Sequence, residues 1–239
     1  MERILNKLVE RLRDCYKDRL VSVMLYGSAA VGDHHGRFSD MNVLCVLTEV
    51  TPRELGEVSA IFNWWQRMGN PPPLLFGREE LRRSTDVFPM EFTDIRERHR
   101  ILYGEDVVQD LAVDLRYYRA EVEHELRAKL LRLREKAAAA MAARDALVGL
   151  MAESLSTFCV LFRHSLRLAG EEAAFEKRVI VEQAAARFGV DAAPFRTLLD
   201  LREGKIKGRD IQPVLLFAQY LEAINKVVEA VDRLDTVGV

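Results

Sequence analysis

The stretch "LYGSAAVGDHHGRFSDMNVLCVL", residues 25–47, sets a Gly-Ser pair between two apolar runs and places a carboxylate, Asp40, just before the second. The first run, "LVSVMLY" (Leu20–Tyr26), reads as a strand that stops at Gly27. The second, "MNVLCVL" (Met41–Leu47), is nearly continuous, as expected of a strand covered on both faces. A glycine directly after a strand lets the backbone turn sharply and approach a ligand without a Cβ in the way. If "SAAV" then opens a helical turn, its free N–H groups and the Ser28 hydroxyl can hold phosphate oxygens. Asp40 follows close enough for a metal to bridge it to that phosphate. The two-residue period of a strand puts positions 40 and 42 on one face. Position 42 is Asn42, so the pair offers one carboxylate and one amide.

Working outward, Ile4, Leu5, Leu8, Val9 and Leu12 recur at helical spacing and predict a helix over residues 2–18. "TPRE" (Thr51–Glu54) is a helix start: Thr51 can cap, Pro52 suits the first turn and Glu54 can close a capping box. That helix is expected to run to Met68, with "GNPPP" ending it. Short runs at Leu74–Phe76 and Met90–Ile95 read as further strands. Glu91, between Met90 and Phe92, is then a strand carboxylate that can join Asp40, while Asp94 faces the other side. Beyond Asp106 the strand signals vanish, and Ala, Leu, Glu and Arg dominate at helical spacing. The long apolar pattern is split near Ala137–Arg144 into an antiparallel pair, ending at Gly170. Helices follow near 174–188, 192–202 and 211–234. The expected architecture is a small mixed sheet with helices over residues 1–105, of α/β or α+β type, and an all-α bundle of four or five helices over residues 106–239.

Composition narrows the class. With 49% hydrophobic and 30% charged residues in 239, the chain reads as globular, and a net charge of −2 argues against a globally basic nucleic-acid binder. Cys15, Cys45 and Cys159 are far apart, which favours buried thiols in a reducing compartment over disulfides or a zinc site. The amphipathic, charged N-terminus lacks the apolar core of a signal peptide, and no apolar stretch looks long enough for a membrane span. A cytoplasmic protein is expected.

On "LYGSAAVGDHHGRFSDMNVLCVL" and "PMEFTD" the chain resembles the DNA polymerase β-like nucleotidyltransferases, especially their minimal and aminoglycoside-modifying branches. The resemblance covers roughly residues 1–105, and a helical domain after it is usual in that superfamily. It implies transfer of a nucleoside monophosphate from a Mg²⁺–NTP to an acceptor, which can be a small molecule, a protein or an RNA end. Residue by residue, Gly27 and Ser28 match the phosphate-holding pair, Asp40 the first metal carboxylate and Glu91 the third. Asn42 departs from the superfamily's Asp-x-Asp or Asp-x-Glu pattern. An amide oxygen can coordinate Mg²⁺ but brings no negative charge, so reduced Mg²⁺ occupancy is expected. The alternative is a degenerate member that binds a nucleotide, or only a partner protein, without turnover; the helical half would also suit a homodimer.

Other motifs have plainer readings beside their functional ones. Asp33, His34 and His35 precede Asp40 in a loop that reads as polar surface, although a histidine could touch a phosphate or a metal and Asp33 could swing in as a substitute for the missing carboxylate. Arg119 and His124 in "RAEVEH" match an R-x4-H nuclease spacing, but the two positions diverge on one helix. "RERHR" (Arg96–Arg100) reads as a charged turn, with a contact to a triphosphate or RNA as its sharper reading, and "EGKIKGRD" (Glu203–Asp210) as a linker, with a cleft-lining basic loop as the sharper one. Of Trp64 and Trp65, one is expected in the core and the other half exposed.

Overall fold

A computed structural model describes residues 1–31 and 41–234. The chain divides into two compact units, Met1–Tyr117 and Tyr118–Val239.

In the first unit α1 (Glu2–Tyr16) leads through a 3-10 turn into β1 (Leu20–Tyr26). Then come β2 (Asn42–Leu47), α2 (Pro52–Arg67), β3 (Leu74–Gly77), α3 (Arg78–Arg83), α4 (Pro89–Glu97) and β4 (His99–Gly104). The four strands form one mixed sheet in the order β3-β2-β1-β4. β1 is antiparallel to both β2 and β4, and β3 lies parallel to β2. Alternation along β1 and β2 sorts the core into two layers. Val23, Leu25, Val43, Cys45 and Leu47 pack with Leu5, Leu8, Leu12 and Tyr16 of α1 and with Val58 and Trp65 of α2. Met24, Leu44 and Val46 pack with Leu81 of α3, with Phe92 and Ile95 of α4, and with Val108. Burial on both faces is why β2 is apolar from Val43 to Leu47.

The start of α2 forms as its sequence dictates. The Thr51 hydroxyl accepts from the Arg53 N–H at 3.2 Å, and the Glu54 carboxylate accepts from the Thr51 N–H at 3.1 Å. Arg19 joins Glu54 to Glu57, the latter at 2.6 Å. At the far end of the sheet, Gly104 passes so close to β1 that an added Cβ would lie 2.0 Å from the Val21 carbonyl oxygen. Its φ of 78° is also a glycine conformation.

The segment expected as a strand, Met90–Ile95, is instead α4, and Glu91 sits in its first turn. Pro89 at the first helical position presets φ, and burial of Pro89, Met90, Phe92, Thr93 and Ile95 follows a helical stripe. The fourth strand lies further on, at His99–Gly104, and takes in part of what reads as a charged turn. It is an edge strand with half-buried and exposed positions, so it lacks the apolar run that marks β2.

The second unit is helical: α5 (Tyr118–Ala140), α6 (Arg144–Leu168), α7 (Lys177–Phe188), α8 (Ala193–Arg202) and α9 (Pro213–Asp232). Leu147, Met151, Leu155, Phe158 and Phe162 of α6 are buried. Phe195 packs its ring at a tilt against both Phe162 and Tyr220, with centroids 5.2 and 4.9 Å away. By length and composition alone α6 is long and apolar enough to cross a membrane, contrary to the reading of the sequence. Within this unit its apolar residues form the centre of the bundle.

Candidate functional site

Three strands end side by side where β1 gives way to Gly27. Tyr26 is the cross-strand partner of Asn42 on β2 and of His99 on β4. Directly opposed residues share a face of the sheet. Since Met24, Leu44 and Val46 face α3 and α4, the two-residue period places Tyr26 and Asn42 on that same face. The result is a row of polar side chains, Asn42–Tyr26–His99, at one end of an otherwise apolar layer.

Gly27 leaves the row at φ 75°. Its N–H donates to the Arg98 carbonyl at 3.3 Å, and its own carbonyl accepts from the Ala30 N–H at 3.1 Å. A 3-10 turn, Ser28–Val31, follows at once. The Asn42 side chain lies against this turn, with its Nδ2 atom 3.4 Å from where a Gly27 Cβ would stand. Gly27, the backbone of Ser28 and Asn42 are thus gathered in one place. Asp40 lies outside the described residues, as do Asp33, His34 and His35.

Glu91 is exposed, and it reaches this place from a helix rather than a strand. Burial pushes the Tyr26 hydroxyl up to about 12, and the nearby Glu91 carboxylate adds to the shift. The phenol is therefore a neutral donor throughout the physiological range. Asp94 is half-buried in the same helix. β3, the other neighbour of β2, carries no carboxylate in Leu74–Gly77. Among the described residues no three His, Cys, Asp or Glu side chains gather where they could hold a metal ion.

Two residues absent from the sequence reading support the row. The His99 ring meets the Ile95 carbonyl through Nδ1 at 2.8 Å and the Asp106 carboxylate through Nε2 at 3.0 Å. Asp106 also accepts from the N–H groups of Val108 at 3.2 Å and Gln109 at 3.0 Å. Burial opposes its ionisation, but the bond from His99 and these backbone bonds outweigh it and hold the carboxyl below its usual range. His99 thereby ties the last turn of α4 to β4, beside the Arg98 carbonyl that anchors Gly27. The signal available in the sequence was a lone histidine inside "RERHR", seven residues before an aspartate.

The remaining candidates have structural work. Arg119 donates to the Leu234 carbonyl at 2.9 Å and the Asp232 carbonyl at 3.2 Å, satisfying the end of α9, while His124 is exposed. In the linker, Lys205 pairs with Glu203 at 2.7 Å, and Arg144 holds the Gly208 and Arg209 carbonyls at 3.1 and 2.9 Å. Trp65 is buried and donates to the Pro71 carbonyl at 2.9 Å; Trp64 is half-buried under the Arg11 guanidinium, 4.2 Å from its ring centroid.

No protein-family model and no curated protein matches the chain. Among solved structures it is similar to spectinomycin adenyltransferase AAD(9) from Enterococcus faecialis, determined with ATP and spectinomycin. The superposition has a TM-score of 0.58 at 12% identity and covers 95% of this chain and 98% of that one. The chain therefore has the nucleotidyltransferase fold: a small mixed sheet with its helices, followed by a helical domain.

Proposed function

We propose that the chain is a nucleotidyltransferase-like protein that takes an NTP as its Mg²⁺ complex and passes the nucleoside monophosphate to a small-molecule acceptor. The observation that carries this reading is the Gly27 turn. It follows a central strand at positive φ, opens a short helical turn and lies beside Asn42, all within the fold of an adenyltransferase. Free N–H groups at such a turn suit phosphate oxygens, and Ser28 adds a hydroxyl. In the transfer, an acceptor oxygen bonds to the α-phosphorus, the bond to the β-phosphate oxygen breaks, and pyrophosphate leaves with the electron pair. The acceptor's proton needs a base, and the exposed Glu91 carboxylate is the candidate. Asp40 and Glu91 are the carboxylates proposed to face the Mg²⁺ that the nucleotide brings. That the neighbour was determined with ATP and a small molecule, and that the likeness spans both units, supports an acceptor of that size.

A second reading, nucleotide binding without transfer, is favoured by two observations: Asn42 in place of an acid, and a β3 without one. Calorimetric titration with each of the four Mg²⁺–NTPs, followed by assay of pyrophosphate release with hydroxyl-bearing acceptors such as aminocyclitols, separates the two. Binding with release supports transfer, and binding without release under any acceptor supports the second reading. Failure to bind any nucleotide removes both.

A further inference from the structure

Asn42 looks like a lost metal ligand only if position 42 must serve a cation. Its surroundings suit the opposite charge. Asn42 and Tyr26 are opposed on adjacent strands, both half-buried, and neither side chain hydrogen-bonds to a described residue. A half-buried amide and a half-buried hydroxyl with no hydrogen bond to a described residue are open to a ligand or to water. Both can donate, both lie on the face covered by α4, and the amide nitrogen stands against the Gly27 turn. Facing them are the Glu91 carboxylate, beside Tyr26, and the His99 ring, whose two nitrogens are engaged by Ile95 and Asp106.

We infer that Asn42, with Tyr26 beside it, is a phosphate-binding donor that holds the nucleotide's phosphate chain at the Gly27 turn, so that binding depends only weakly on divalent cation. The inference rests on the nucleotide-binding reading above and deepens it. A carboxylate at position 42 repels a triphosphate unless a cation stands between them, whereas an amide donates to it directly. A hydrogen bond to a charged group is among the stronger kinds. The arrangement thus exchanges a cation-mediated contact for a direct one.

The test is calorimetric titration of the full chain with ATP, in excess Mg²⁺ and again in EDTA. The native protein is expected to bind in EDTA within about fivefold of its affinity in Mg²⁺. Asn42→Ala is expected to lose about tenfold in EDTA, the loss usual for a bond to a charged group, and Asn42→Ser, which keeps a donor, to recover part of it. Asn42→Asp is expected to cross over, binding about tenfold tighter than native in Mg²⁺ and about tenfold weaker in EDTA. Thermal melts of each variant confirm folding, and the serine and aspartate forms keep the test open if alanine fails to fold. If the native chain binds ATP only with Mg²⁺, or Asn42→Ala equals native in EDTA, the inference is overturned while nucleotide binding stands. If native protein binds ATP in neither buffer, both fall together.

Discussion

At the scale of single residues, the site depends on Gly27, which holds a backbone conformation that an L-residue adopts poorly. Its φ is 75°, and an added Cβ would lie in van der Waals contact with the Asn42 amide at 3.4 Å. Gly27→Ala therefore strains the backbone of the turn beside Asn42. We expect it to weaken ATP binding by more than about tenfold and to cost about 1–2 kcal/mol of stability, read by titration and thermal melting. Glu91 makes a different kind of claim. It is proposed both to take the acceptor's proton and to face the nucleotide's Mg²⁺, so its loss falls on rate and on affinity. Glu91→Gln is expected to slow transfer by about a hundredfold or more, the scale of general-base catalysis, and to weaken Mg²⁺–ATP binding by about tenfold as the ion loses a carboxylate. A variant that keeps both rate and affinity would remove Glu91 from the site.

At the scale of elements, two local devices fix the first unit. The cap of α2 joins Thr51 to Arg53 and Glu54, so Thr51→Ala is expected to cost about 1 kcal/mol in denaturant unfolding, leaving the nucleotide site intact. Gly104 lets β4 close on β1, and a Cβ there would overlap the Val21 carbonyl at 2.0 Å. Gly104→Ala must push the edge strand away. A loss of about 3 kcal/mol or more is expected, and because β4 carries His99 and the Arg98 carbonyl precedes it, nucleotide binding should fall as well. The error over Met90–Ile95 also belongs to this scale. Met90, Phe92 and Ile95 fit a strand in the first pair and a helix in the second, and a run this short has no period of its own. Pro89 at the first turn and the cover that α4 gives to Met24 and Leu44 decide for the helix.

For the whole molecule, each unit carries a carboxylate held low by its partners. The Thr51 hydroxyl, with backbone N–H groups and Arg19, takes Glu54 from the usual 4.5 to about 2. Arg178 and then Lys205 do the same for Glu203, also to about 2. With the folded pKa below the unfolded one, the unfolded chain takes up protons first as the pH falls. The stabilisation from both groups is complete above about pH 4.5 and is lost as the pH falls toward about 2. Both units are therefore expected to lose stability in one acid window. Melting temperatures from pH 6 to pH 2 check this: a flat profile below pH 4.5 would show that neither pair contributes.

The sequence by itself determined β1 at Leu20–Tyr26, the capped start of α2, the break between α5 and α6, and the turn at Gly27. These are local matters: a run covered on both faces, a capping box and a glycine at positive φ each carry their own signal within a few residues. Only the tertiary structure decided that Glu91 comes from a helix and that His99–Gly104 is the edge strand. The same holds for the row Asn42–Tyr26–His99, whose members are far apart in the chain and meet through strand pairing alone. Period and capping act between neighbours in the chain, whereas register and face are set by which strands and helices pack together, and no short window contains that information.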